Sequence, residues 1–288
     1  MADGRRTTVL VTGAAGQLGS AIVGLFREEA DVVPLTRADL DVTDGRAVRD
    51  TVAAVRPSVV INCAAYNHVD EAEREPVAAL AANALAVRSI ADAAAGIDAA
   101  FVHYGTDFVF DGTGTRPYRE DDPPDPRSVY AVSKLLGEWF ATDAPRHYVV
   151  RVESLFGGPR RKSSVDKIID GLVADDPVRV FVDRTVSPSY VEDVALATKA
   201  LVASGAEPGL YHCVNTGACS WHELAEEAAR LLGVRPALVP VKAAETPMPA
   251  ARPLYCALSN AKLAGVGIAM PPWQDALARH IARLQTRA

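Results

Sequence analysis

The chain has 288 residues, is 49% hydrophobic and carries a formal net charge of −6. That length and apolar content can bury a sizeable core, which excludes a disordered or repetitive protein and points to one body, with room for a smaller lobe. The acidic balance argues against nonspecific nucleic-acid binding and against adhesion to anionic membrane, because both need a basic surface.

Four cysteines, Cys63, Cys213, Cys219 and Cys256, lie far apart with no C-x-x-C spacing, and no signal-like segment precedes the first apolar run. This reads as a reduced cytoplasm. No apolar run approaches the roughly 20 residues of a membrane span, so a soluble protein is expected.

Short β-branched apolar runs recur at 7–12, 31–36, 58–65, 99–106 and 147–154. Runs of this kind are strands buried on both faces. Helix-length segments separate them at 17–30, 45–56, 77–96 and 128–143. The alternation predicts an α/β fold, a doubly wound parallel sheet with crossover helices on both faces. Past residue 155 the regularity weakens: GGPRRKS (157–163) is a loop, 178–183 a strand and 190–204 a helix. From Pro208 onward prolines interrupt the chain, and one clear helix at 220–233 opens with a serine N-cap and a glutamate three residues later. The expected organisation is a body over 1–155, to which 178–204 returns, and a smaller lobe from 156–177 and 205–288.

VTGAAGQLGS (11–20) follows the first strand and opens the first helix, spacing Gly13, Gly16 and Gly19 as G-x-x-G-x-x-G. Glycine permits the tight turn, lets backbone N–H groups approach a pyrophosphate and allows close helix packing, while the helix N-terminus favours the anion. In that strand–turn–helix context the body reads as a dinucleotide-binding Rossmann domain. An acidic residue closing the second strand would hold the ribose of NAD, and an arginine the extra phosphate of NADP. Thr36 and Arg37 stand there, which favours NADPH and leaves NADH open. Asp41 and Val42, in LDVTD (40–44), are placed beside the adenine, with a capping or loop role as the alternative for Asp41.

SVYAVSK (128–134) puts Tyr130 four residues before Lys134, on one helix face. The helix follows HYGTDFVFDG (103–112), which leaves a strand at its carboxyl end, where ligands bind in open α/β sheets. A phenol with an ordinary pKa near ~10 needs help to exchange a proton at neutral pH, and an adjacent ammonium is expected to lower it. Such a tyrosine can protonate a carbonyl oxygen as hydride reaches its carbon, with Thr106 at the strand tip orienting that oxygen. The alternative is an ordinary exposed pair on an amphipathic helix.

TGAAGQLG (12–19), VVINCAAYNHVDEAEREP (59–76), VHYGTDFVFDGTGTRPYREDDPPDPRSVYAVSKLLGE (102–138), DRTVSPSYVEDVA (183–195), GLYHCVNTGACSWHELA (209–225) and ARPLYCALSNAKL (251–263) together carry a resemblance. The chain resembles the extended short-chain dehydrogenase/reductases and, within them, the TDP-4-dehydrorhamnose reductase family, over nearly its whole length. The resemblance implies NADPH-dependent reduction of a 4-keto-6-deoxyhexose carried on TDP. It implies Thr106, Tyr130 and Lys134 as the catalytic residues, with Lys134 also hydrogen-bonding the nicotinamide ribose. It sets Gly13, Gln17 and Leu18 against the pyrophosphate, Ala64, Ala65 and Tyr66 against the middle of the cofactor, and makes the smaller lobe the substrate-binding one. Of Asp107 and Phe108, one is expected to face substrate and the other the core.

Departures from the family pattern fall in the pocket. Where these reductases usually read R-T-S-W-V-Y-G, this chain has RVESLFG (151–157), so Ser154 replaces the tryptophan that packs on the sugar and Glu153 adds a charge. Both are expected to meet substrate. Some members bind magnesium at a dimer interface through glutamates, one of them two residues past the third glycine; here that residue is Ala21, so no metal is expected. Arg252 lies in the region resembling the family's nucleotide-sugar site, with an ion pair to the body as the alternative. Arg160, Arg161 and Lys162 either meet a substrate pyrophosphate or are solvated. His212 and His222 lack the partners of a metal site and read as structural, and Asn83 as a tie between helix and sheet. The expected partner is a nucleotide sugar and the expected state a monomer or homodimer. Two further functions stay open: a regulatory subunit resembling the β subunit of methionine adenosyltransferase, and a nucleotide-sugar epimerase or dehydratase.

Overall fold

The computed structural model describes residues 6–286. Six parallel strands, β1 (Thr8–Thr12), β2 (Asp31–Leu35), β3 (Val59–Asn62), β4 (Ala100–Thr106), β5 (His147–Val152) and β6 (Gly209–His212), form one sheet in the order β6-β5-β4-β3-β1-β2. β3 and β4 are buried along their whole length, as strands covered on both faces must be. β3 ends at Asn62, three residues before the apolar run does, and those three residues leave the sheet.

The larger helices are α1 (Gln17–Phe26), α2 (Gly45–Val55), α3 (Pro76–Ala95), α4 (Val129–Ala141), α5 (Ser164–Val173), α6 (Val191–Ala203), α7 (Trp221–Leu232) and α8 (Trp273–Gln285). α1 and α6 pack together on one face of the sheet, where Leu18, Ile22, Phe26, Val194 and Leu201 join the core. α2, α3 and α4 cover the other face through Val48, Val52, Val87, Ile90 and Ala141. The sheet order reverses between β1 and β3, so the crevice where such sheets bind ligands opens between the chain leaving β1 and the chain leaving β3.

A second core gathers Phe156, Ile169, Val180, Trp221, Leu224, Trp273 and Ile281 from α5, α7, α8 and small paired strands. Val178–Phe181 pairs there with Leu238–Val241. The chain distributes itself differently from the boundaries read off the sequence. Residues 178–181 stay in the lobe and only 191–203 returns to the body, while 209–212 supplies the sixth strand of the sheet and Leu263, Ile268 and Met270 pack in the body core. β6 is four residues long and follows Pro208, too brief to give a periodicity. The capping box at Ser220 and Glu223 forms as expected, and α5 has a second at Ser163 and Asp166.

α3 is long and apolar enough to cross a bilayer by length and composition, which the survey of apolar runs overlooked. Here it is a packed helix against α2, α4 and β4. Its Ala81–Leu85 turn is π-helical, a widening common near functional sites. Within that turn Asn83 is buried and its carbonyl faces Gly137 of α4, where an added Cβ would lie 2.0 Å from the oxygen. Glycine-to-alanine in an exposed helix gains about 1 kcal/mol, but a backbone carbonyl cannot step aside. Gly137→Ala is therefore expected to destabilise by about 1–3 kcal/mol, read as a lowered Tm in thermal unfolding.

Candidate active site

The phosphate loop is built on missing side chains. Gly13 has φ of +64°, and a Cβ there would fall 2.6 Å from the Ala64 backbone nitrogen, so only glycine lets the loops after β1 and β3 touch. A Cβ on Gly19 would lie 2.3 Å from the Gly13 carbonyl, which makes the start of α1 sit close under the turn. α1 has no acidic residue in its first turn and no side-chain cap, leaving its first N–H groups available to an anion. Gly16, Gln17, Leu18, Gly19, Ala64 and Ala65 line one end of a cavity of about 420 Å³. The Gln17 side chain donates to the Gly157 carbonyl at 3.0 Å, tying this loop to the segment beyond β5.

Beyond β2, Asp39 is occupied by Thr36, whose backbone and side chain both donate to it. Arg37 remains 91% exposed, its nearest carboxylate being Asp41 at 3.8 Å. Asp41 accepts from the backbone and hydroxyl of Thr43, which holds its carboxyl below the usual range; this is the loop role rather than contact with the cavity. Val42 packs against the α2–α3 core. Tyr66 donates its hydroxyl to Glu75 at 2.9 Å. Arg37, Asp41, Val42 and Tyr66 do not line the cavity. A glycine cradle that a single Cβ would fill and an exposed guanidinium past β2, paired among the described residues only with Asp41 at 3.8 Å, fit a phosphorylated dinucleotide.

The other end of the cavity carries the proton chemistry. Ser128 caps α4, and Tyr130 and Lys134 follow one turn apart on the face turned to β4. Tyr130 is 9% and Lys134 4% exposed, which overturns the reading of an exposed pair. Asn83 accepts from the Tyr66 backbone N–H at 2.8 Å and donates to the Tyr66 carbonyl and to Ser133 on α4. It therefore joins the loop after β3 to the helix that carries the tyrosine. Phe108 meets the Tyr130 ring edge-on at 5.8 Å.

The expected ammonium-assisted phenol is not what forms. Burial, then the charge of Asp107, push Tyr130 above its ordinary value, with Thr106 opposing and the charge of Glu138 adding to the rise. The Lys134 ammonium instead donates to the Tyr104 carbonyl at 2.6 Å. Burial lowers Lys134 to about 8, against the pull of Glu138 and Cys63. Thr106 donates to Asp107 at 3.1 Å and accepts from the Phe108 N–H at 3.3 Å.

Glu138 anchors this wall. One turn after Lys134, it receives three hydrogen bonds from Arg151 of β5, at 2.7–3.1 Å, with both side chains 4% exposed. The Arg151 guanidinium also lies over the Phe110 ring at 5.0 Å. A Cβ on Gly105 would fall 2.1 Å from a Glu138 carboxylate oxygen, so β4 makes room for the pair.

Glu153 and Ser154 do line the cavity, beside Asp107 and Phe108. Ser154 has φ of +41°, an unusual strain for serine. Arg252 also lines it, but is held by Asp70 through two hydrogen bonds of 2.7 Å, the ion-pair alternative. Arg160, Arg161 and Lys162 are exposed and outside the cavity, with Arg161 paired to Asp170. His212 is buried, hydrogen-bonded to Tyr118 and lowered to about 3 by burial, a structural residue. Among the cavity residues that sequence reasoning did not single out are Ser164, Arg184 and Trp221, the last with an indole N–H that has no protein partner among the described residues. Arg184 and Trp221 lie inside stretches quoted for the resemblance, but nothing local marks them as pocket residues.

Residues 7–286 match the family model described as the RmlD substrate binding domain. The chain belongs to that family. The match runs from β1 through α8, so both the body and the lobe fall inside it. Among similar proteins is a dTDP-4-dehydrorhamnose reductase of Streptomyces griseus, 41% identical over 97% of this chain and 94% of that protein. Another is a probable dTDP-4,6-dihydroxy-2-methyloxan-3-one 4-ketoreductase of Streptomyces antibioticus, 38% identical over 93% and 92%. The crystal structure of dTDP-4-dehydrorhamnose reductase from Bacillus anthracis in complex with NADP superposes with a TM-score of 0.92, at 33% identity over 96% and 99% of the two chains.

The Glu138–Arg151 pair makes a stability test. Glu138→Gln leaves a buried guanidinium without its anion and is expected to cost about 3–5 kcal/mol, whereas replacing both partners by apolar residues of similar volume recovers most of the loss. Urea unfolding midpoints of the single and double variants check this.

Proposed function

We propose that this member of the RmlD family is an NADPH-dependent reductase of the 4-keto group of a nucleotide-linked 4-keto-6-deoxyhexose, carried on TDP and acting in the cytoplasm. The observation that carries the reading is the buried Thr106, Tyr130 and Lys134 group at the carboxyl end of β4, facing the same cavity as the glycine cradle. NADPH, when bound, supplies the hydride. Gly13, Gly16, Gln17, Leu18 and Gly19 would hold its pyrophosphate, Ala64 and Ala65 its middle, and Arg37 its extra phosphate. The 4-hydroxyl product class follows from the family; the sugar's exact identity depends on the altered wall at Glu153 and Ser154.

The chain's own residues handle the proton. As the carbonyl carbon is reduced, its oxygen becomes an alkoxide, a stronger base than phenolate. A Tyr130 phenol raised above its ordinary value stays protonated until that base appears and then gives its proton to it. Thr106 orients the same oxygen. Lys134 holds a positive charge near the nascent phenolate and in reach of the nicotinamide ribose. The smaller lobe, with Ser164, Arg184 and Trp221 on the cavity wall, covers the sugar nucleotide, and Arg252 exchanges Asp70 for a substrate phosphate. The intact proton-transfer group favours a reductase over a non-catalytic regulatory subunit, and the exposed Arg37 favours a dissociable NADP over the tightly held NAD of an epimerase.

Loss of NADPH absorbance with TDP-4-keto-6-deoxyglucose, supplied with and without a 3,5-epimerase, tests the reading. Turnover that needs the epimerase assigns an L-sugar reductase, and turnover without it a D-sugar ketoreductase. Tyr130→Phe is expected to lower kcat by about 10²–10⁴-fold, the range of a lost general acid. Silence with every nucleotide sugar, despite NADPH binding, overturns the proposal.

The depressed Lys134 sets a pH dependence. The protonated form is the active one, and it is present below its folded value of about 8. Activity, as kcat/KM, is expected to fall as pH rises through about 8, and Lys134→Met to lose that part of the profile along with most of the rate.

A further inference from the structure

Asp107 and Glu153 face one another across the catalytic wall. Asp107 sits in the short turn after β4 and Glu153 just past β5, and their exposures are 3% and 2%. A carboxylate oxygen from each, with the Cys256 sulfur, lies within 4.8 Å of the others. The two acids are not equally served. Glu153 accepts from the Ser187 backbone N–H and, at 3.2 Å, from the Ser154 hydroxyl. One Asp107 oxygen accepts from Thr106, and the other, Oδ2, is buried with no oxygen or nitrogen partner among the described residues, the Cys256 thiol being the weak donor beside the carboxyl. An orphaned buried carboxylate oxygen is costly, and two buried carboxylates this close cannot both stay ionised.

The other charged and titratable groups around the pair leave it short of compensation. Arg184, 8% exposed, is the cation that faces both acids, and its Nε is spent on the Pro253 carbonyl at 3.4 Å. Cys256 and Cys219 stand beside them as thiols that burial pushes well up. Tyr130 is a neutral phenol across the cavity. A divalent cation on Asp107, Glu153 and Cys256 would be met by the Arg184 guanidinium and an un-ionised thiol, which makes a proton the better occupant. Burial raises both carboxyls, Glu153 well above its usual range.

We propose that Asp107 and Glu153 hold one proton between them at neutral pH, and that this shared proton frees the Thr106 hydroxyl for the substrate. With both acids ionised, Asp107 Oδ1 captures the Thr106 hydroxyl hydrogen, as the 3.1 Å hydrogen bond between them shows is geometrically ready. A proton seated between Glu153 and Asp107 Oδ2, after a small side-chain rotation, satisfies the orphan and draws the Asp107 charge away from Thr106. Thr106 then turns its hydrogen to the substrate oxygen. Glu153 is thus a positioning residue, acting through Asp107, and it also secures Ser154 in its left-handed backbone through the same carboxyl. The inference rests on the reading of Thr106 as the hydroxyl that meets the substrate carbonyl. It gives a role to the chain's own departure from the R-T-S-W pattern, since a serine or threonine at 153 could not hold such a proton.

Two measurements on the full chain decide it. Infrared difference spectra between neutral and alkaline pH read the protonated carboxyl directly and need no turnover. The wild-type protein is expected to lose a carboxylic-acid band that both Glu153→Gln and Asp107→Asn lack; absence of the band in wild type overturns the proposal. Steady-state kinetics then read the consequence. Glu153→Ala is expected to lower kcat by about tenfold or more with KM moved far less, the scale of one lost charge-assisted hydrogen bond. Glu153→Gln, a neutral donor, is expected to recover most of that loss and to show an alkaline limb reporting one lost proton where wild type reports two. A glutamine variant as slow as the alanine variant, or with the wild-type limb, overturns it. If wild type fails to oxidise NADPH with any nucleotide sugar, the reductase reading falls while the infrared result still decides the shared proton.

Discussion

Glu138 is a carboxylate almost wholly buried, and the catalytic wall is arranged around keeping it satisfied. Three hydrogen bonds from Arg151 bind α4 to β5, and the missing side chain at Gly105 lets the pair sit against β4. Such a pair adds little net stability compared with an apolar core, but it is intolerant of displacement because either partner alone is a buried charge. That intolerance suits a helix whose two preceding turns hold Lys134 and Tyr130. A slip of α4 along the sheet would break the ion pair before it could misplace the phenol. The negative charge also opposes the loss of the Lys134 proton that burial promotes, so one residue both positions the helix and tunes its neighbour.

The remaining parts of the site follow from the reversal of strand order between β1 and β3. Chain leaving either strand must diverge, and the gap is occupied by backbone in close approach, with Gly13 against Ala64. Asn62 stabilises the floor of that gap, accepting from Thr12 at 2.7 Å and from the Ala64 N–H at 3.1 Å. Asn83 does the same from the side. Two asparagines and Gly13 therefore connect the phosphate loop to the tyrosine helix without any charged group.

Much of this was legible in the sequence because the signals were local. Fully buried β-branched runs, the glycine spacing and the capping serine at 220 each depend on a few neighbouring residues, and the helices and strands expected in the first 152 residues lie within a few positions of where those signals put them. The burial of Tyr130 and Lys134 was a tertiary fact, and so was the direction of the tyrosine shift: spacing places an ammonium one turn away, but cannot say that it will be spent on the Tyr104 carbonyl. Arg184 follows a strand and Trp221 opens a helix that the sequence did show, but that both side chains reach the cavity depends on how the lobe packs against the body, which no local pattern records. Glu153 was visible as a departure from a pattern, whereas its proximity to Asp107 required the fold.

The chain enters the smaller lobe three times, at 156–190, 219–241 and 273–281, and returns to the body between visits with 191–213 and 263–270. Each return supplies something the body lacks otherwise: a covering helix, an edge strand, the last residues of the core. The two regions are thus laced together rather than joined by a hinge. A single break in the backbone at any of the three middle crossings, near 190, between 213 and 219, or between 241 and 263, would leave two pieces, neither of which contains a whole body or a whole lobe. Interlacing of this kind makes the molecule one cooperative unit, and the cavity between its regions inherits the rigidity of both.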